Sequence, residues 1–133
     1  MFLDRFRRKT LPLHGVPPVR RLKTHPAQSG YIYTYAYDGQ RALPAADGTE
    51  FVFSASAGPS GWHQVSVLVE TSSVRAWELD HDRTLSSTEW YALAKMALFA
   101  AFDERPTPAL FFAEPVRLRA ADVEAIMQSL DLE

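Results

Sequence analysis

A strict alternation of tyrosine with smaller residues begins at Tyr31. Residues 31–37 spell Tyr-Ile-Tyr-Thr-Tyr-Ala-Tyr, and a period of two that is rich in aromatic residues is typical of a β-strand. The Asp38-Gly39 pair is a turn signal that is expected to end this strand. Residues 49–57 and 62–70 are predicted to form two further strands, joined by a tight Gly-Pro-Ser-Gly turn. Residues 74–79 are expected to add a short fourth strand or an irregular edge.

Helical signals replace the alternation at Ser86. The run Ser-Ser-Thr-Glu at residues 86–89 matches a capping box, in which the Ser86 hydroxyl and the Glu89 carboxylate each accept from the other residue's amide. No glycine or proline follows before Pro106, so a helix is predicted over residues 86–103. A last helix is predicted over residues 120–130, because four apolar residues recur there on one face: Val123, Ile126, Met127 and Leu130.

Together these elements predict an α+β fold, with a three- or four-stranded antiparallel β meander followed by two helices packed on one sheet face. The side-chain period places one row of each strand on the helix-covered face. An alternative interpretation treats the tyrosine row as an exposed platform on which nucleic-acid bases stack. The inward orientation is favoured, because the opposite face offers mainly serine, threonine and glutamine. The residues expected to be buried are Tyr33, Tyr35, Phe53, Val65 and Val67.

The beginning of the chain differs from the rest in composition and charge. Four prolines interrupt residues 1–30, and residues 1–41 carry eight basic but only two acidic side chains. A basic, proline-containing and partly mobile arm is therefore predicted over residues 1–28, ahead of a single α+β domain over residues 29–133. Two interpretations stay open: the arm folds onto the acidic remainder of the chain, or it binds nucleic acid. The candidate nucleic-acid contacts are Arg5, Arg7, Arg8, Lys9, Arg20, Arg21 and Lys23.

Composition limits the location and the chemistry. The chain has no cysteine, which rules out disulfides, thiolate metal sites and a cysteine nucleophile. The longest apolar stretch, residues 90–102, is shorter than the roughly 20 residues that a membrane-spanning helix needs. The first residues do not match a signal peptide, because no apolar core follows their positive charges. A cytoplasmic protein without a membrane span is therefore expected.

Motifs that carry chemistry are few. The sequence contains neither a Gly-x-Ser-x-Gly elbow nor a glycine-rich phosphate loop, so no catalytic residue and no cofactor is assigned. Residues 78–82, Glu-Leu-Asp-His-Asp, are the densest group of metal-capable side chains, but they lack the glycine of a calcium loop. This segment is interpreted as a solvated acidic loop, and no metal is predicted. His63 is a candidate general base and supports a third hypothesis, a small hydrolase.

The predicted helix over residues 86–103 is apolar nearly all round, which requires cover on more than one side. Beyond the sheet, this cover must come from the last helix, the arm or a second copy of the chain. We expect a homodimer with Trp90, Met96 or Phe99 at the contact. The leading hypothesis is a non-enzymatic binding or accessory protein that acts as a homodimer. The alternative is a nucleic-acid-binding protein that uses the basic arm and the outer sheet face, and an enzyme is less favoured.

Overall fold

A computed structural model describes residues 11–59 and 61–131, which form five strands and four helices. The strands are β1 (Lys23–Pro26), β2 (Ile32–Ala42), β3 (Gly48–Ser56), β4 (Trp62–Glu70) and β5 (Val116–Leu118). The helices are α1 (Thr71–His81), α2 (Ser87–Glu104), α3 (Pro108–Phe112) and α4 (Ala120–Asp131). The order of strands in the sheet follows the chain, and all neighbours are antiparallel except β4 and β5, which are parallel.

The α+β class is confirmed, but the sheet differs in detail from the expected meander. It is mixed, because β5 adds a parallel edge strand beside β4. The other edge is β1, which lies within residues 1–28, the segment interpreted as an arm. Both edge strands are so short that a period of two does not stand out in the sequence. Instead of the two expected helices, four follow β4 among the described residues.

The prediction of a fourth strand or irregular edge at residues 74–79 is wrong, because this segment lies within helix α1. Val74 and Trp77 lie about one helical turn apart and are the buried residues of α1. His81 Nδ1 donates to the Trp77 carbonyl oxygen at 2.9 Å, and the two rings stack at 4.2 Å. Valine and tryptophan have a high propensity for strands, but the burial of Val74 and Trp77 on one helical face outweighs this propensity.

Strand β2 does not end at Asp38-Gly39, where the turn signal predicted its end. It continues to Ala42 through a β-bulge between Tyr37 and Gly39, where the register with β3 shifts by one residue. Gly39 has a φ of 142°, and an added Cβ would lie 3.0 Å from the His14 carbonyl oxygen, so this position favours glycine. The bulge places every later side chain of β2 on the opposite face from the one that simple alternation gives.

The inner face of the sheet carries the core. The side chains predicted to be buried there are at most 5% exposed, which confirms the prediction: Tyr33, Tyr35, Phe53, Val65 and Val67. The Tyr33 ring stacks on Phe102 of α2 at 4.3 Å, and Phe111 of α3 lies 4.7 Å from Phe102. Tyr31, just before β2, stays exposed. The buried tyrosines are therefore part of the core and are not a platform for bases.

Helix α2 begins with the predicted capping box. The Glu89 amide donates to the Ser86 hydroxyl at 3.2 Å, and the Ser86 amide donates to the Glu89 carboxylate at 3.0 Å. The helix runs from Ser87 to Glu104, so both predicted ends are confirmed to within one residue. Leu85 is buried and Trp90 half-buried on either side of the box, as a hydrophobic staple requires.

The wide apolar surface of α2 is covered from several directions. The sheet packs on one side and α4 on another. From β1, the His25 ring stacks on Phe99 at 4.7 Å, and His25 Nε2 lies 2.9 Å from an Asp103 carboxylate oxygen. Among the described residues, neither α2 nor any other helix is long and apolar enough to cross a membrane.

The start of β3 has no room for a side chain at Gly48. Its φ is 156°, and an added Cβ would lie 2.3 Å from the Val69 carbonyl oxygen. Gly58 also has a positive φ, 108°, but no described atom lies within 4 Å of a Cβ added there. Gly48→Ala should destabilise the fold by more than Gly58→Ala, which carries only about 1–2 kcal/mol of backbone strain. Chemical denaturation measures both, and equal losses would contradict the close packing at Gly48.

Candidate functional site

On the outer face of the sheet, three strands bring together a nearly buried ion pair. Because of the bulge, Arg41 of β2 lies opposite Glu50 of β3. The Arg41 guanidinium donates two hydrogen bonds to the Glu50 carboxylate, at 3.0 and 3.2 Å, and the Ser66 hydroxyl of β4 donates another at 2.5 Å. The Arg41 and Glu50 side chains are only 12% and 13% exposed. Bidentate pairing in such a protected place is among the strongest polar contacts in proteins.

These contacts determine the charge of Glu50. Burial by itself would raise the pKa of Glu50, because it disfavours the ionised carboxylate. The hydrogen bonds from Arg41 and Ser66, together with the Arg41 charge, outweigh burial and hold the pKa of Glu50 below its ordinary value. Glu50 is therefore ionised at neutral pH and is a weak base. A weaker base removes a proton from a neighbouring hydroxyl such as that of Ser66 less readily.

A cleft of about 460 Å³ lies beside this network, and we call it the outer-face cleft. Its floor consists of Gln64, Ser66 and Leu68 of β4, which alternate with the buried valines of the inner face. One wall is the β2–β3 loop, residues 43–46, and the other is the α3–β5 segment, residues 111–115. Both walls are mainly apolar, and the volume lies within the usual range for small-molecule sites.

The wall at residues 111–115 is held by Arg105, which follows the end of α2. The Arg105 guanidinium donates to the carbonyl oxygens of Phe111, Glu114 and Pro115 at 2.8, 2.8 and 3.0 Å. It also lies 5.6 Å from the centroid of the Phe111 ring. One planar cation thus satisfies three backbone acceptors and defines the shape of this wall.

The opposite wall is closed by backbone hydrogen bonds. The Leu43 amide donates to the Gly48 carbonyl oxygen at 3.2 Å, and the Thr71 amide donates to the Asp47 carbonyl oxygen at 2.9 Å. The loop is therefore tied both to β3 and to the start of α1. Backbone contacts thus fix this wall, as the Arg105 contacts fix the other.

Polar groups of both signs line the outer-face cleft around its apolar walls. Besides Glu50, they include Glu70, Glu114 and Arg117. A few polar groups in an apolar cleft orient a bound molecule. Histidine is absent from the described lining, so the cleft does not combine its serine with the usual general base.

The described basic residues of the predicted nucleic-acid set fall into two groups. Arg20 lies 5.4 Å from the centroid of the exposed Trp62 ring and 3.7 Å from the Asp38 carboxylate. Arg21 and Lys23 instead line a second, smaller pocket at the edge of β2. The other members of the set lie outside the described residues: Arg5, Arg7, Arg8 and Lys9.

The residues proposed for a dimer contact, Trp90, Met96 and Phe99, are all half-buried within one chain. Besides stacking on the histidine of β1, Phe99 meets Tyr35 edge-on at 5.6 Å. Trp90 borders a shallow depression together with Leu85. Part of the apolar surface that motivates a dimer is thus covered within the chain, and the homodimer stays a prediction.

The remaining candidate groups make structural contacts. His63 is exposed, and its ring packs 4.3 Å from Phe112. In the acidic segment, the Glu78 carboxylate accepts from the Leu85 amide at 2.7 Å, and Asp82 ends α1 with a positive φ. Within the described part of the chain, no three His, Asp or Glu side chains lie close enough together to hold a metal ion.

Sequence reasoning missed the residues that build the outer-face cleft. Continued without a bulge, the alternation from Tyr31 places Arg41 on the inner face and hides its pairing with Glu50. The three carbonyl contacts of Arg105 depend on a turn between two elements that were not predicted. The one available signal was Asp38-Gly39, since a glycine inside a strand pattern also indicates a bulge.

Comparison with protein-family models, with curated proteins and with solved structures finds no match to this chain. Its function is therefore inferred from the chemistry of its own residues.

The lowered pKa of Glu50 predicts a pH-dependent contribution to stability. The ionised carboxylate stabilises the fold above the unfolded-state pKa, near 4.5, and this contribution is lost as the pH falls through the lower folded-state pKa. Glu50→Gln should therefore lower the unfolding free energy by about 1–3 kcal/mol at pH 7, and the difference from wild type should shrink in acid. Denaturation at several pH values measures this. Glu104→Gln, at an exposed position on α2, is the control, and a difference at Glu50 that stays constant down to strong acid would contradict the ion pair.

Proposed function

We propose that the protein is a non-enzymatic binding protein that acts as a homodimer and holds a small molecule in the outer-face cleft. The observation that carries this proposal is the combination of apolar walls with a lining carboxylate, that of Glu50, which already accepts three hydrogen bonds within the chain. Such a cleft offers surface to a ligand and no activated group to react with it.

The apolar walls supply the affinity in this proposal. Leu43 and Pro44 line one wall, and Phe112 and Pro115 line the other. Each 100 Å² of apolar surface removed from water contributes about 2.5 kcal/mol. A ligand with a flat or compact apolar body would bury surface on both walls at once. The hydrogen bonds that hold both walls limit the conformational entropy that binding would cost.

The polar lining supplies the selectivity. A bound ligand would partly remove three charged side chains from water: Glu70, Glu114 and Arg117. Burying a polar group costs free energy unless it gains a hydrogen-bond or ionic partner. The preferred ligand therefore combines its apolar body with polar groups that meet these side chains. Glu50 is less available, because Arg41 and Ser66 already use its oxygens.

A neutral aromatic probe tests the cleft. Indole titrated into isotopically labelled protein should shift the NMR signals of residues 43–46, 64–68 and 112–117 in a saturable way. We expect a dissociation constant of about 1 mM or lower, equivalent to about 4 kcal/mol. Shifts that do not saturate, or that map elsewhere, would contradict binding in the outer-face cleft.

A pair of matched substitutions provides the control. Ala46→Trp places a large side chain in one wall of the cleft and should abolish the saturable shifts. Ala76→Trp introduces the same residue at an exposed position of α1, outside the lining, and should leave indole binding unchanged. Equal binding by the two variants would remove the support for this site.

The homodimer is tested by light scattering across a dilution series. A dimer should give twice the 15.0 kDa chain mass at micromolar concentration. Met96→Glu should give the monomer mass, because it places a charge in the proposed contact. Leu79→Glu, at a position 74% exposed on α1, should leave the mass of the wild type unchanged. A wild-type mass of 15.0 kDa at every concentration would refute the dimer and leave the cleft proposal untouched.

A further inference from the structure

A second pocket, of about 250 Å³, opens between the edge of β2 and helix α2. It exists because the chain leaves the edge of β2 after the pairing of His14 with Gln40 and returns only at β1. The intervening residues include Pro17 and Pro18, which lack the amide protons that would continue a strand ladder. We call this the cation-lined pocket, after three of its lining residues: Arg21, Lys23 and Lys95.

Among the described residues, the positive charges of this pocket have no acidic counterpart in its lining. Lys23 reaches the pocket from β1, and Lys95 reaches it from α2. None of the described lining residues is aspartate or glutamate. Within the described part of the chain, no carboxylate lies within 4.0 Å of either lysine ammonium. Like charges around one small opening repel, and more strongly as they are withdrawn from water.

Lys95 shows the effect of this repulsion. Its side chain is half-buried, with the ammonium nitrogen 5.8 Å from the centroid of the Phe99 ring. Burial lowers the pKa of Lys95, and the charge of Lys23 lowers it further. An anion between the two lysines would turn this repulsion into attraction. The pocket therefore favours a negatively charged occupant.

The rest of the lining provides neutral donors. Tyr35, Tyr37 and Tyr91 line the pocket, and the Tyr37 and Tyr91 rings meet edge-on at 4.9 Å. Burial is the largest cause that raises the pKa of each of these tyrosines. Their hydroxyls therefore stay protonated at neutral pH, bring no negative charge and can donate hydrogen bonds to an anion.

We propose that the cation-lined pocket binds a phosphate group, contacted by Lys23 and Lys95 and by the planar guanidinium of Arg21. Three cations match the charge of a phosphate better than that of a single carboxylate, and arginine and lysine are its usual partners. The phosphate belongs either to a small molecule or to a nucleic-acid backbone. The described lining residues of this pocket and of the outer-face cleft do not overlap. A failure of either proposal therefore leaves the other unaffected.

Calorimetric titration of the 133-residue chain with sodium phosphate, at constant ionic strength and neutral pH, tests the site. Lys95→Gln and Lys23→Gln should each weaken phosphate binding about tenfold or more, the usual effect of losing one charge-assisted hydrogen bond. Arg75→Gln removes the same charge from α1, where the side chain is 64% exposed and outside the lining, and should bind phosphate as the wild type does.

Thermal unfolding gives a second readout that does not depend on calorimetry. Phosphate should raise the midpoint of the wild type above its value in sodium chloride of equal ionic strength, because a ligand of the folded state stabilises it. The Lys95→Gln protein should lose this increase. Equal effects of the two salts on the wild type, or equal phosphate binding by wild type and Lys95→Gln, would overturn the proposal.

A parallel titration with oligothymidylate distinguishes the two sources of the phosphate. A nucleic-acid site predicts that the oligonucleotide binds more tightly than inorganic phosphate, that phosphate competes with it, and that its affinity falls steeply with added salt. A small-molecule site predicts that phosphate binds and that the oligonucleotide binds no more tightly. Both results require Lys95, and oligonucleotide binding that Lys95→Gln leaves unchanged would place the contact elsewhere and refute the pocket.

Discussion

The burial of one aromatic face of the sheet against helix α2 is the interaction on which the rest of the structure depends. Tyr33 and Phe102 stack at the centre of this contact, and Phe111 of α3 completes it. Because strand side chains alternate, this burial also decides which residues face outward on β3 and β4. The floor of the outer-face cleft is thus set by what is buried on the other side of the sheet. The bulge in β2 is the exception that brings Arg41 to the outer face, opposite Glu50.

Much of the fold follows from local patterns in the sequence. Two local signals are the alternation in β2, β3 and β4 and the capping box at Ser86. Each lies within a few neighbouring residues, so it can be recognised in the sequence, and these elements contribute the largest share of the core. The elements that were missed are stabilised by distant contacts. Strand β5 has three residues and depends on β4 for its pairing, and α3 is a single short turn that begins at Pro108. Proline suits the first turn of a helix as well as the residues after its end, so Pro108 alone does not predict that α3 begins there.

The candidate sites were far less accessible from the sequence, because each is assembled from residues that lie far apart along the chain. Lys23 and Lys95 meet only when β1 pairs with β2 and α2 packs on the same side. The basic character of Arg21 and Lys23 was visible from charge alone, but their partner on α2 was not. Arg41 and Glu50 lie closer in sequence, yet their alignment needs the one-residue shift at the bulge. Local patterns therefore predict which elements form more readily than which side chains converge.

The order of the strands also has a consequence for the way this chain folds. From β1 to β4 every strand pairs with its neighbour in sequence, so each step closes only a short loop. The pairing of β5 with β4 instead closes a loop that contains α1, α2 and α3, and contacts of such long range are slow to form. The wall that Arg105 holds lies directly before β5, so it reaches its final place only when this loop closes. We therefore expect the outer-face cleft to be completed late in folding, after the hairpins of β1 to β4 have formed.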